Sequence, residues 1–165
     1  MDFNYTDEQE LLVDSIKEFC ERNLTEDKIN EMYDKQGMTD DLIKEYLDAG
    51  FGLMGIPEEQ GGIPCDRVTL GILTEEFAHY AGCVTPFLNN TLAMRDMLDF
   101  GSEKQIKQCM DAYMETGKPI FSLGFSEPGA GSDNASMSSV TVKQPDGTYL
   151  LNGQKTWVTQ GEVFP

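Results

Sequence analysis

The sequence is poor in basic residues, and this shortage excludes several classes of function. Its 165 residues include 12 lysines and arginines against 29 aspartates and glutamates, which gives a formal net charge of −17. Nucleic-acid phosphates bind clustered lysine and arginine side chains, and anionic membrane surfaces attract them too. We therefore expect no nucleic acid and no membrane as a partner. The acidic residues are attributed to the solvation of exposed faces.

The chain also lacks long apolar runs, paired cysteines and more than one histidine. No stretch approaches the roughly 18 apolar residues of a transmembrane helix, and the first five residues do not have the basic-then-apolar pattern of a signal peptide. The four cysteines form no Cys-x-x-Cys pair, so we expect free thiols in a cytoplasmic protein and no metal site. His79 has no nucleophile to pair with, so we assign it no catalytic role.

Helix start and stop signals recur from residue 6 to residue 117 and predict a bundle of helices. Thr6 and Gln9 form a capping box, and Thr25 and Thr39 each precede an acidic first turn. Gly50 is expected to end the third helix. Further helices are predicted over residues 66–80, 90–100 and from 103 to about 114, because apolar side chains recur there at helical spacing.

After residue 119 the hydrophobic period changes from helical to strand-like. Alternation over 121–125 predicts a short strand that runs into a loop of small residues. Alternation on both sides of the turn signal at 145–147 predicts a hairpin, whose second arm is expected to reach residues 157–159. The predicted fold class is α + β: an all-α helical bundle at 1–118, then the opening strands of a β-barrel-like domain at 119–165.

The stretch from residue 121 to residue 161 contains the strongest indication of a ligand. The loop Gly129-Ala130-Gly131-Ser132 leaves room for a ligand to approach main-chain amides. Trp157 and Thr159 lie two residues apart, so on a strand they would face one ligand together. This combination suits a flat heteroaromatic cofactor that carries phosphate. A buried position beneath the hairpin is the other interpretation of Trp157.

Two motifs in this stretch closely resemble the flavin-binding signature of acyl-CoA dehydrogenases. They are Glu127-Pro128-Gly129-Ala130-Gly131-Ser132-Asp133 and Leu151-Asn152-Gly153-Gln154-Lys155-Thr156-Trp157-Val158-Thr159-Gln160-Gly161. Upstream, residues 7–11 are similar to the family's first helix, and residues 52–62 are similar to its helix-to-loop crossing. The resemblance covers essentially the whole chain. The set of motifs is specific, whereas Gly-Ala-Gly alone is not.

The resemblance implies FAD as cofactor and assigns site residues. It implies that the cofactor contacts Phe125, Ser126, Gly131, Ser132, Trp157, Val158 and Thr159. It implies that the acyl-CoA substrate contacts Ser132, Leu123, Thr85, Leu88 and Leu92. For Leu92 the residue pattern by itself favours a core residue over a substrate contact, because it lies at helical spacing. Glu127 is expected to accept hydrogen bonds from local backbone N–H groups, and the catalytic base is expected beyond Pro165.

The resemblance also implies an activity and partners. The expected reaction is α,β-dehydrogenation of an acyl-CoA thioester, or the reverse enoyl-CoA reduction, in fatty acid or carnitine metabolism. The crotonobetainyl-CoA reductase branch is the candidate subtype. We expect electron-transfer flavoprotein as redox partner and a homo-oligomer at full length. The chain is interpreted as an N-terminal fragment, inactive by itself. The alternatives are an acyl-CoA oxidase and a non-catalytic helical interaction module.

Overall fold

A computed structural model describes residues 4–35, 37–82, 94–118, 122–158 and 161 of the chain. The chain divides into two compact units, Met1–Pro119 and Ile120–Pro165. The first unit is helical and the second contains a small two-stranded sheet. The predicted α + β fold class is therefore confirmed.

The first unit consists of six helices and two short 3₁₀ turns within its described residues. The helices are α1 (Asp7–Asn23), α2 (Glu26–Asp34), α3 (Asp40–Asp48), α4 (Arg67–Ala81), α5 (which includes residues 94–100) and α6 (Glu103–Thr116). The 3₁₀ turns are Phe51–Leu53 and Glu58–Gln60.

The predicted helix starts are confirmed by their caps. The Thr6 and Gln9 pair forms a full capping box before α1, and Thr25 and Thr39 accept hydrogen bonds from the first turns of α2 and α3. Ser102 forms a second capping box before α6. Each cap satisfies a main-chain N–H group that has no partner inside its helix, which fixes where the helix begins.

Aromatic residues dominate the core of the helical unit. Phe19 of α1 contacts Phe51 and Phe77 with ring centroids 5.3 and 5.8 Å apart. Tyr46 of α3 lies 5.2 Å from Phe77 of α4, and these pairs are edge-to-face. Such pairs each add about 0.5–1.5 kcal/mol beyond burial of their area. The core thus joins α1, α3 and α4 through the turn at Phe51.

Helix α6 is attached to this core through Tyr113 and the residues that follow it. The Tyr113 hydroxyl donates a hydrogen bond of 2.8 Å to the carbonyl oxygen of Gly52, and the ring is buried. Gly117 ends the helix in the left-handed conformation with φ of 67°. Lys118 then forms an ion pair of 2.6 Å with Asp40 at the start of α3.

The second unit contains one antiparallel hairpin of β1 (Val140–Lys143) and β2 (Tyr149–Asn152). Its register pairs Val140 with Asn152 and Lys143 with Tyr149, so the hairpin prediction is confirmed. The Asp146 carboxylate accepts hydrogen bonds from the main-chain N–H and the hydroxyl of Thr148, which tightens the turn.

Two strand predictions for the second unit are wrong. Residues 122–126 form no strand, and β2 ends at Asn152 and does not reach residue 157. Gly153 has a φ of 157° and Trp157 a φ of 57°, and such backbone does not continue a strand. These two segments are neighbours, but among the described residues one main-chain hydrogen bond joins them, from the N–H of Thr156 to the carbonyl oxygen of Ser126, and one bond does not make a strand ladder.

Candidate functional site

The centre of the second unit is a buried carboxylate, that of Glu127. Its side chain is only 2% exposed. One carboxylate oxygen accepts hydrogen bonds from the main-chain N–H (2.6 Å) and the hydroxyl (2.9 Å) of Ser138. The other accepts one from the main-chain N–H of Ser139 at 3.0 Å. Glu127 does accept hydrogen bonds from backbone N–H groups, as predicted, but the donors lie 11 and 12 residues further along the chain and are not local to the loop.

The Lys155 side chain supplies the positive charge that faces this carboxylate. Its Nζ lies 2.8 Å from Oε1 of Glu127, and it also donates to the carbonyl oxygen of Phe125 at 3.1 Å. The sulfur of Met137 lies 3.6 Å from the same nitrogen. One ammonium group thus contacts two other stretches of chain, residues 125–127 and Met137, through partners that are 18 to 30 residues from it in sequence.

The electrostatics of the pair keep Glu127 charged. The Lys155 ammonium, followed by hydrogen bonds from Ser139 and Ser138, holds the pKa of Glu127 well below its usual range. A carboxylate whose oxygens already accept these bonds has little capacity to take a proton from a substrate. Glu127 is therefore unsuited to act as a general base.

Main-chain hydrogen bonds complete this arrangement. Glu127 and Ala130 exchange two of them, at 2.9 and 3.1 Å, which closes the turn over Pro128 and Gly129. The N–H of Thr156 donates to the carbonyl oxygen of Ser126 at 2.8 Å. Segments 125–127 and 155–157 therefore lie side by side.

Gly153 is required where the hairpin meets the Glu127 site. An added β-carbon there would collide with Ser139, including its Cα atom. Because Ser139 is also one of the residues that bind Glu127, the close approach at Gly153 positions the N–H group that faces the carboxylate.

The predicted cofactor residues that the structure describes lie on or next to these two segments and on the small-residue loop, and several are exposed. Phe125 is about half exposed, as is Leu123, the predicted substrate contact. Gly131 has open space where a β-carbon would stand, and its neighbour Ser132 is exposed. Ser126 is half-buried, with its carbonyl oxygen bonded to Thr156.

Trp157 is the most unusual of the predicted residues. Its side chain is 92% exposed, and its φ of 57° lies in a region that bulky residues rarely occupy. The interpretation of Trp157 as a core residue beneath the hairpin is therefore wrong in this chain. Strained backbone in a folded protein is concentrated at ligand sites. The next residue, Val158, is half-buried.

The remaining predicted residues lie outside the described part of the chain. They are Thr159, predicted to face the cofactor, and the three predicted substrate contacts Thr85, Leu88 and Leu92.

The sequence pattern gave no role to Lys155, Ser138 or Ser139, which the structure gathers around Glu127. Lys155 was visible only as one letter of the second motif. Its partner is 28 residues away, and no local periodicity links two such positions. The only available signal for such a partner was energetic. A carboxylate is costly to bury without a partner, so a buried Glu127 requires one nearby.

Other chemistry is sparse in the described residues. They contain no group of three or more histidine, cysteine, aspartate or glutamate side chains that could hold a metal ion. Cys20, Cys65 and Cys109 are free thiols, whereas Cys83 is not among the described residues. None of the described helices is long and apolar enough to cross a membrane.

Two family models match the chain. The model for the N-terminal domain of acyl-CoA dehydrogenases matches residues 6–116, and the model for their middle domain matches residues 122–164. The first of these alone spans more than half of the sequence.

Individual relatives are similar to this chain along nearly its whole length. The probable acyl-CoA dehydrogenase YdiO of Escherichia coli (strain K12) is 35% identical over 165 residues, which are 100% of this chain and 43% of that protein. Subunit CarC of the caffeyl-CoA reductase-Etf complex of Acetobacterium woodii is 33% identical over 96% of this chain and 42% of its own length. Butyryl-CoA dehydrogenase from Megasphaera elsdenii, a solved structure, has a TM-score of 0.77 at 29% identity and covers 99% of this chain and 44% of its own. The chain thus spans about two fifths of the length of the relatives it matches.

Proposed function

Because the chain belongs to the acyl-CoA dehydrogenase family, we propose that the whole protein oxidises the α,β carbon–carbon bond of an acyl-CoA thioester, or reduces it in the reverse direction. FAD is the cofactor of this family, and it supplies the acceptor for the hydride that leaves the β-carbon of the thioester. The observation that supports this proposal most directly is the exposed, strained Trp157 on the segment that lies beside residues 125–127.

The described residues suit FAD on physical grounds. The β-carbon positions of Gly129 and Gly131 meet nothing within 4 Å, so a phosphate-bearing ligand can approach the main chain of the loop. Trp157 and Phe125 expose aromatic surface on adjacent segments, which a flat ring system would cover. A bound ring would remove this apolar surface from water and offset the strain at Trp157.

We assign roles to these residues as follows. Phe125 and Ser126 face the ring, Trp157, Val158 and Thr159 hold it from the second segment, and Gly131 and Ser132 meet the pyrophosphate. The substrate thioester lies near Leu123 and Ser132, and Thr85, Leu88 and Leu92 contact its acyl chain. The boundary between the helical and middle domains is placed at residues 118 and 119.

The catalytic base must be a residue other than Glu127. A base needs a free lone pair near the α-carbon of the substrate. The Glu127 carboxylate is buried and bonded to Lys155, Ser138 and Ser139. Following the family resemblance, we propose that the base lies beyond Pro165 in the whole protein.

We further propose electron-transfer flavoprotein as the redox partner. The relative CarC is named as a subunit of a complex with such a protein, which supports this choice. A cytoplasmic homo-oligomer that acts in fatty acid or carnitine metabolism, with crotonobetainyl-CoA reductase as the candidate subtype, completes the proposal.

The proposal is tested by mixing the purified full-length protein with a panel of acyl-CoA thioesters without oxygen. We expect a matching substrate to bleach the visible flavin band and to yield the α,β-unsaturated thioester. Trp157→Ala should loosen the flavin, because it removes a large aromatic contact. Thr159→Val should retain the flavin and slow its reduction.

A matched control is Phe100→Ala, which removes an aromatic side chain that is 85% exposed on α5 in the helical unit. It should leave flavin content unchanged. A flavin content that Trp157→Ala and Phe100→Ala leave equally unchanged would contradict the role assigned to Trp157. In a separate assay with the same thioester in air, oxygen consumption as fast as turnover would assign the protein to the oxidases instead.

A further inference from the structure

We propose that Lys155 is a positioning residue of the flavin site: its ammonium, seated on the Glu127 carboxylate, fixes the spacing between the two segments that hold the ring. This inference rests on the proposed function, because it concerns the same site. The predicted ring contacts immediately flank the pair, with Phe125 and Ser126 before Glu127 and with Trp157 and Val158 after Lys155.

Separate segments of the chain meet at one atom, Nζ of Lys155. Lys155 Nζ lies 2.8 Å from Oε1 of Glu127, 3.1 Å from the carbonyl oxygen of Phe125 and 3.6 Å from the sulfur of Met137. An ammonium has three N–H donors, and these three acceptors match that number. The contact to Phe125 is direct: Lys155 holds the main chain of a residue that we assign to the ring.

The Glu127 carboxylate connects the ion pair to the hairpin through hydrogen bonds. The Glu127 oxygens also accept the main-chain N–H groups of Ser138 and Ser139, which come directly before β1. The loop, the start of β1 and the segment after β2 are therefore fixed to one ion pair. In the helical unit, by contrast, the pair of Lys107 and Asp111 connects residues of a single helix turn and is largely exposed.

The Glu127 side of the ion pair is protected from solvent. The Glu127 side chain is 2% exposed and that of Lys155 is 32% exposed, whereas the other ion pairs among the described residues have exposures of 38% or more on both sides. Removal of one member of a buried pair leaves a charge without a partner, and the local chain must rearrange to solvate it. The segments that flank Glu127 and Lys155 would move when the local chain rearranges.

The experiment compares Lys155→Met with the full-length wild-type protein by titration with FAD and by the visible spectrum of the bound flavin. Met keeps an unbranched apolar side chain of similar length to the lysine stem and removes the ammonium. We expect the dissociation constant for FAD to rise roughly tenfold or more, as for the loss of a hydrogen bond to a charged group. The bands of bound flavin should shift toward those of free FAD. Lys107→Met, which removes the exposed pair on α6, should change neither value.

A second variant separates positioning from folding. Lys155→Arg retains the charge, so it should bind FAD more tightly than Lys155→Met and restore much of the spectrum, although its planar fork does not reproduce all three contacts. Far-ultraviolet circular dichroism checks that the helices of each variant remain folded.

The outcomes distinguish this inference from the function on which it rests. A wild-type protein that binds no flavin overturns both. A wild-type protein that binds flavin, with Lys155→Met indistinguishable from it in affinity and spectrum, overturns the positioning role alone. A loss of flavin in Lys155→Met that Lys155→Arg does not reduce would also contradict it, because the charge would then not be the cause.

Discussion

Replacing Gly117 by alanine should destabilise the helical unit, whereas the same replacement at Gly71 should stabilise it. Gly117 ends α6 with a φ of 67°, and an added β-carbon would collide with the side chain of Ile43. Gly71 lies in the interior of α4 on its exposed face, and its β-carbon position is open. The chemical change is identical, so each position serves as the control for the other.

The size of the effect follows from separate terms. An L-residue in the left-handed region costs about 1–2 kcal/mol, and overpacking against Ile43 adds about 1–3 kcal/mol. The alanine variant has a stiffer unfolded chain, which raises the free energy of unfolding by about 0.4–1 kcal/mol. We therefore expect the free energy of unfolding to fall by about 2–3 kcal/mol for Gly117→Ala. For Gly71→Ala we expect a rise of about 0.5–1 kcal/mol, the helix-interior preference for alanine.

Urea and thermal unfolding, followed by circular dichroism at the helical signal, measure both changes. A loss of 2–3 kcal/mol corresponds to a fall in Tm on the order of 10 °C for a unit of this size. If Gly117→Ala proved as stable as the wild type, the described end of α6 and its approach to Ile43 would be incorrect. If Gly71→Ala proved destabilising, the open space described at the β-carbon position of Gly71 would be incorrect instead.

Three further predictions concern single groups. Tyr113→Phe should lower the free energy of unfolding by about 1–2 kcal/mol, since it leaves the carbonyl of Gly52 without its bond, and urea unfolding checks this. The depressed pKa of Glu127 gives stability that is complete above its unfolded pKa of about 4.3 and is lost as the pH falls further; the hydrogen-exchange protection of the second unit, relative to an unstructured chain at the same pH, should therefore fall below about pH 4, and Glu127→Gln should weaken that dependence. Burial raises the pKa of the Cys20 thiol to about 12, so in the folded protein it should react with a thiol reagent far more slowly than Cys65, and equal rates would contradict its burial.

Local signals were sufficient for the helical unit. Thr6, Thr25, Thr39 and Ser102 each act through N–H groups within three residues, so their effect is written in a short window of sequence. The hairpin was predictable for the same reason, because its strands are joined by a short turn.

The candidate site could be predicted only in part. Phe125 and Ser126 were assigned to the site through the resemblance and Trp157 through its spacing from Thr159 as well, whereas the strand expected to carry Trp157 is absent and its backbone has a positive φ. The ion pair between Glu127 and Lys155 joins positions 28 residues apart, and only the folded chain brings them to 2.8 Å. Such long-range electrostatic contacts leave no periodic trace in the sequence.

The most direct test of the central claim is the amount of FAD bound by the full-length protein, read from its visible spectrum after incubation with FAD and removal of the excess. We expect about one FAD per chain and a spectrum distinct from that of free flavin. A folded protein that remains colourless after this treatment would contradict the assignment of segments 125–132 and 155–159 to a flavin site.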